Sequence, residues 1–150
     1  MTAPQATLTQ THTELAGEVR LVVTRLARRL RQRADSGLSP SLGAALATID
    51  CHGPLTPSQL ADREHVQRPT ATRLAARLME EGLVTRTDDP DDRRSHRIAV
   101  TPAGAALVRE TRQRKTAYLA QALEGLTGQE QRTLADAAAI LARVLEQDGR

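Results

Sequence analysis

Thr70, Arg73 and Arg77 fall at i, i+3 and i+7 of a helical pattern that opens at Pro69 and runs to about Glu81. That spacing places the three side chains on one helix face. Arginine on such a face has a definite chemistry. Its planar guanidinium can donate two hydrogen bonds to guanine O6 and N7, which reads base sequence, or it can grip phosphate, which only positions. Gln67 and Arg68 stand just before this face and Thr72 lies in its first turn, so all three join the candidate DNA-contacting set. The surface carries no acid until Glu80. A merely solvated helix face would look the same in isolation, and the neighbouring segments separate the two readings.

The opposite face of this helix is apolar. Ala71, Leu74, Ala75 and Leu78 lie at i, i+3, i+4 and i+7, the pattern of a stripe turned to a core. Upstream, Thr56-Pro57-Ser58-Gln59 is a capped helix start with a capping-box glutamine, opening a short helix to about Arg63. Residues 64–68 then form a turn, with Val66 tucked into the core. Thr56 and Ser58 are candidate phosphate contacts, because a helix start offers hydroxyls and free N–H groups, although a helix cap needs the same residues. Downstream, Leu83 to Thr101 holds two β-prone runs around a polar tip containing Pro90 and the adjacent Arg93 and Arg94. This is a β-hairpin pattern, and a helix-turn-helix followed at once by a charged hairpin is the pattern of a winged helix. Arg93 and Arg97 are candidate phosphate contacts. Asp88, Asp89, Asp91 and Asp92 support the rival view, in which the hairpin's charges only block edge pairing.

The flanks supply longer helices. Leu15, Val19, Val22, Leu26 and Leu30 form a stripe on a helix from about Thr13 to Ala34, and residues 1–12 are expected to be disordered. Ser39-Pro40 starts the next helix, with Leu42, Leu46 and Ile49 on one face, and Gly53-Pro54 stops it. Thr101-Pro102 starts a helix that runs to about Leu126. Thr127 to Glu130 is a capping box for the last helix, whose stripe is Leu134, Ala137, Ala138, Leu141, Val144 and Leu145. The expected fold is mainly α with a small β-hairpin wing (α+β), in one domain over residues 1–150. Its winged-helix lobe covers about 39–101. Long helices at about 13–35 and 102–147 are expected to pack together and against a second copy.

Composition agrees with that second copy. The 150-residue chain has no Phe or Trp and only Tyr118, so its core must be aliphatic and rich in Ala. Small side chains bury less apolar area per residue, and a partner chain would supply the rest. The formal net charge is +3, but residues 36–101 hold eight Arg against nine acids, so the excess does not sit on the lobe. A diffuse basic patch is therefore not the basis for nucleic-acid binding; individual arginines must be. Of 21 basic residues only Lys115 is lysine, which suits bidentate recognition and also fits a GC-rich genome. Cys51 is alone, so no internal disulfide can form, and a buried structural thiol is expected. His12, His52, His65 and His96 lack metal-site spacing, so no metal or cofactor is expected. No nucleophile–base pair or phosphate loop suggests an enzyme. The polar N-terminus and the lack of a long apolar run predict a soluble, cytoplasmic protein.

Glu80-Glu81-Gly82-Leu83-Val84-Thr85-Arg86, then Asp89-Pro90-Asp91-Asp92-Arg93-Arg94, then Val100-Thr101-Pro102-Ala103-Gly104 together resemble the multiple-antibiotic-resistance regulator (MarR) family. The resemblance spans roughly Ser39 to Leu107. It implies a homodimeric transcription regulator, usually a repressor, on a pseudo-palindromic duplex, with the terminal helices forming the dimer interface. It implies that the fourth helix enters the major groove while the wing reaches a minor groove. Arg94 then projects into that groove, where narrowness concentrates negative potential, and Asp92 braces it. It further implies release of DNA by a small anionic or aromatic effector, for which Arg20, Arg25 and Arg28 are candidate carboxylate partners. The absence of Phe and Trp departs from an aromatic-lined pocket. Some members sense peroxide through a cysteine near the first helix, a position Cys51 does not match. Redox sensing through Cys51, or a winged helix used only for protein contact, are the alternatives.

Overall fold

A computed structural model describes residues 3–88 and 96–147. In chain order the elements are α1 (Ala3–Arg33), α2 (Pro40–His52), α3 (Pro57–Glu64), α4 (Arg68–Glu80), β1 (Val84–Asp88), β2 (His96–Val100), α5 (Pro102–Leu123) and α6 (Gly128–Gln147). Packing groups residues 1–115 and residues 116–150 as two units. The mainly helical chain with one antiparallel hairpin matches the expected class. One boundary differs substantially: α1 begins at Ala3, inside the segment expected to be disordered. That segment has no glycine, and its single proline, Pro4, stands in the first turn, where a missing N–H costs nothing. Asp92, Arg93 and Arg94 lie outside the described residues.

Local chemistry sets the helix ends. Ser39 Oγ accepts from the Leu42 N–H at 3.3 Å to cap α2. At α3, Thr56 Oγ1 accepts from the Gln59 N–H and Gln59 Oε1 from the Thr56 N–H, at 3.2 and 2.9 Å, completing the predicted capping box. α3 stops where His65 turns left-handed (φ 52°), letting the Val66 N–H donate back to the Ala61 carbonyl at 3.0 Å. This places α4 across α3. The lobe's core is wholly aliphatic: Leu46, Ile49, Leu60 and Leu78 are its largest fully buried side chains, joined by Ala45, Ala71 and Ala75. Each buried Leu or Ile contributes about 1.5–3 kcal/mol, and the alanines let helices approach closely.

The hairpin pairs Val84 with Val100 through Asp88 with His96. A single residue from the α2–α3 connection extends it. Leu55 and Ile98 exchange N–H to carbonyl bonds at 3.0 and 2.7 Å, and both side chains are buried. The base of the hairpin is fixed to both flanking helices. Gly82 ends α4 in the left-handed region (φ 71°), where its N–H reaches the Met79 carbonyl and the Leu83 N–H reaches the Leu78 carbonyl. Thr101 then bridges back: its N–H donates to the Leu83 carbonyl at 3.0 Å and its hydroxyl to the Gly82 carbonyl at 2.7 Å. The same hydroxyl accepts from the Gly104 N–H at 3.1 Å and so caps α5. Gly104 is buried so closely that an added Cβ would lie 2.1 Å from the Leu83 carbonyl oxygen.

In the second unit, Thr127 and Glu130 form the expected capping box. Glu130 Oε2 accepts from the Thr127 N–H and hydroxyl, both at 2.8 Å. These bonds hold the Glu130 carboxyl below its ordinary value of 4.5. A carboxyl that titrates lower when folded stabilises fully above its unfolded pKa and loses that contribution as pH falls through the folded value. Acidification below about pH 4.5 should therefore fray the start of α6, an effect that Glu130→Gln abolishes; amide exchange at residues 128–131 against pH measures it. At the hairpin base, Gly104→Ala should destabilise by about 3 kcal/mol in urea unfolding, because backbone overlap outweighs any gain in helix propensity. A loss below about 0.5 kcal/mol would contradict the close approach.

Candidate nucleic-acid interface

α4 separates into two faces as the residue spacing predicts. Ala71, Ala75 and Leu78 are buried and Leu74 is half-buried against the same core. On the other side Arg68, Thr72, Arg73 and Arg77 are exposed, Gln67 is exposed at the N-cap, and Thr70 is half-buried. No side chain caps α4; the Thr70 and Ala71 N–H groups donate to the Gln67 carbonyl at 2.9 and 3.1 Å, at the end that carries Gln67 and Arg68. The positive end of the helix dipole lies there, beside the Arg68 guanidinium.

The individual side chains differ in what they are free to do. Arg73 donates to Thr70 Oγ1 at 3.4 Å, a neutral partner that leaves its charge uncompensated. Among the described residues, Arg68 and Arg73 pair with no carboxylate. The Thr72 hydroxyl donates to the Arg68 carbonyl at 3.0 Å, so its proton is committed to the helix. Arg77 is different. Its Nη1 lies 3.0 Å from Glu80 Oε2 and its Nη2 lies 3.2 Å from Glu81 Oε1. The signal lies in the sequence spacing, since Glu80 and Glu81 stand three and four residues after Arg77.

Elsewhere the candidates spread out. Thr56 Oγ1 is occupied by its own capping box, and Ser58 is half-buried. Arg97, in β2, is half-buried and its carbonyl accepts from the Thr87 hydroxyl at 3.5 Å across the hairpin. Arg86 on β1 is exposed and was not among the candidates. Cys51 is exposed, which corrects the expected buried thiol. The cause is helical phase: Ile49 is buried, and a residue two positions on projects from the far side of α2. Among the described residues no group of His, Cys, Asp and Glu could hold a metal ion.

A cleft of about 480 Å³ opens between the C-terminal half of α1, the α1–α2 connection, α2 and α5. Ala27, Leu30, Leu38, Leu46, Leu107 and Val108 give it an aliphatic floor, and Arg31, Arg112 and Lys115 bring positive charge against the single acid Asp35. Arg20, Arg25 and Arg28 do not line it. Arg25 and Arg28 project from other faces of α1, and Arg20 stands about two turns before the cleft. Arg114 spans from α5 to the α1–α2 connection, donating to the Asp35 carbonyl at 2.8 Å.

The helix-turn-helix, the hairpin at its end and the bridging strand residue define a winged helix of the transcription-regulator class. The MarR family model matches residues 38–96. An HTH-type transcriptional regulator of Mycobacterium tuberculosis is 37% identical over 134 residues, covering 89% of this chain and 94% of its own length. The HTH-type transcriptional repressor MdtR of Bacillus subtilis is 31% identical over 119 residues, covering 79% and 77%. A transcriptional regulator of Pseudomonas aeruginosa superposes with a TM-score of 0.80 at 30% identity, covering 90% of this chain and 96% of that one. The chain belongs to the MarR family.

Proposed function

We propose that this chain is a homodimeric repressor that reads a pseudo-palindromic operator through α4 and is released by a small anionic effector. The observation that carries the reading is α4 itself. One face is fixed in the core, and the other offers Arg73 and Arg68, which have no carboxylate partner among the described residues, at an N-terminus without a side-chain cap. A rigid helix with unneutralised guanidinium groups is what major-groove contact requires. Gln67, Thr70 and Thr72 surround them as short contacts. Arg94 is proposed, by family resemblance, as the minor-groove probe, braced by Asp92 and accompanied by Arg93.

Dimerisation is supported by apolar side chains left exposed on each of two long helices. On α1, Leu15 and Val22 are 57% and 62% exposed, and on α6 Val144 and Leu145 are 50% and 74% exposed. Stripes of this kind, left bare, mark association surfaces. Two-fold pairing would set two α4 helices about 34 Å apart, one DNA turn. The repressor direction is supported by the likeness to MdtR, which is described as a repressor. The α1–α2–α5 cleft is the proposed effector site, with Arg31, Arg112 and Lys115 as the anion's partners. No described helix is long and apolar enough to cross a membrane, and the regulator is proposed to work in the cytoplasm.

A gel shift on the DNA upstream of the gene for this chain tests the reading. Wild-type binding should weaken with salt, the log–log slope steepening by about 0.9 per phosphate contacted. Arg73→Ala should cost about 1–3 kcal/mol of operator affinity. A winged helix that serves only protein contact would retard no duplex, even at low salt.

A further inference from the structure

The exposed stripe of α4 changes sign along its length. Thr70, Arg73 and Arg77 continue directly into Glu80 and Glu81, so the end of the reading face carries two carboxylates on one guanidinium. The three side chains are 59%, 65% and 44% exposed, so none is needed to fill the core. Helix stability does not explain them. Acids at a helix C-terminus oppose the macrodipole, and arginine preceding glutamate is the poorer order for an i, i+4 pair. A surface pair of this kind stabilises a fold little. What the arrangement does control is the charge presented to a polyanion.

We propose that Glu80 and Glu81 are specificity-determining residues that hold Arg77 away from phosphate on non-cognate DNA. The proposal rests on the DNA-reading role of α4. Non-cognate complexes are held by phosphate contacts alone. On such a duplex Arg77 gains one phosphate but gives up two carboxylates, and both acids are carried toward the backbone within the range of unscreened repulsion, about 10 Å at 0.1 M salt. On the operator, contacts from Arg73 and the N-terminal turn seat α4 first, and Arg77 then exchanges carboxylate for phosphate. The acids therefore lower non-cognate affinity more than operator affinity. This fits a lobe whose arginines are outnumbered by its acids, eight against nine over residues 36–101.

The test measures the affinities of wild type and of Glu80→Gln/Glu81→Gln for the upstream operator fragment and for a scrambled duplex of equal length, across a salt series. For the scrambled duplex, affinity should rise about tenfold and the log–log slope should steepen by about 0.9, one added phosphate contact. Operator affinity should rise less than about threefold, so the specificity ratio falls. Adding Arg77→Ala to the double variant should return scrambled-duplex affinity to near the wild-type value. Glu124→Gln/Glu146→Gln, which changes net charge equally outside α4, should have no such effect. The proposal fails if the double variant leaves scrambled-duplex affinity and slope unchanged. It also fails if the gain survives loss of Arg77 or is matched by the remote pair. Wild-type protein that retards neither duplex would defeat the DNA reading and this proposal together, whereas operator binding with an inert double variant would defeat this proposal alone.

Discussion

The hydroxyl of Thr101 is the point on which the winged-helix lobe turns. It donates to the Gly82 carbonyl, where α4 has just ended, and accepts from the Gly104 N–H, where α5 has just begun. The hairpin strands lie between Gly82 and Thr101. A two-stranded hairpin is marginal by itself, and this one is made rigid by being closed at its base. Gly104 allows the closure, because any side chain there would overlap the Leu83 carbonyl. Leu83 in turn is buried and bonds to the last turn of α4. A small cluster of backbone and hydroxyl groups thus sets the angle between α4 and the paired strands β1 and β2.

The rest of the lobe follows from having no large side chains to spend. Without Phe or Trp the core is built from Leu, Ile, Val and Ala, and close approach replaces bulk. Ala71 and Ala75 bring α4 tightly onto the core, so its opposite face is held still. Charge is handled with similar economy. The lobe carries no excess of arginine, yet among the described residues Arg68 and Arg73 meet no carboxylate at one end of α4 while Arg77 is held by carboxylates at the other. Position along a single helix, not total charge, distinguishes these arginines.

Much of this was legible in the residues, and the reasons differ by element. α4 could be read face by face because each face repeats at helical spacing. The starts of α2, α3, α5 and α6 could be read because Ser39, Thr56, Thr101 and Thr127 are caps followed by Pro or by a capping-box partner. The Leu55–Ile98 bridge was not legible, since one residue of pairing leaves no periodicity. The cleft arginine and lysine side chains were missed because Arg31, Arg112 and Lys115 come together only through the crossing of α1 and α5. Cys51 is a different case. Its helical phase relative to the buried Ile49 points outward, against the general tendency of cysteine to be buried. The early start of α1 was hidden by its polar composition, which resembles a disordered tail.

α4 is proposed to enter the major groove. Guanine N7 faces that groove and no other, so its protection from methylation by dimethyl sulfate reports the contact directly. Two protected sets of guanines, centred about one helical turn apart and related by a dyad, are the expected result on the upstream DNA. Retardation of the same fragment with every guanine N7 still fully reactive would contradict it.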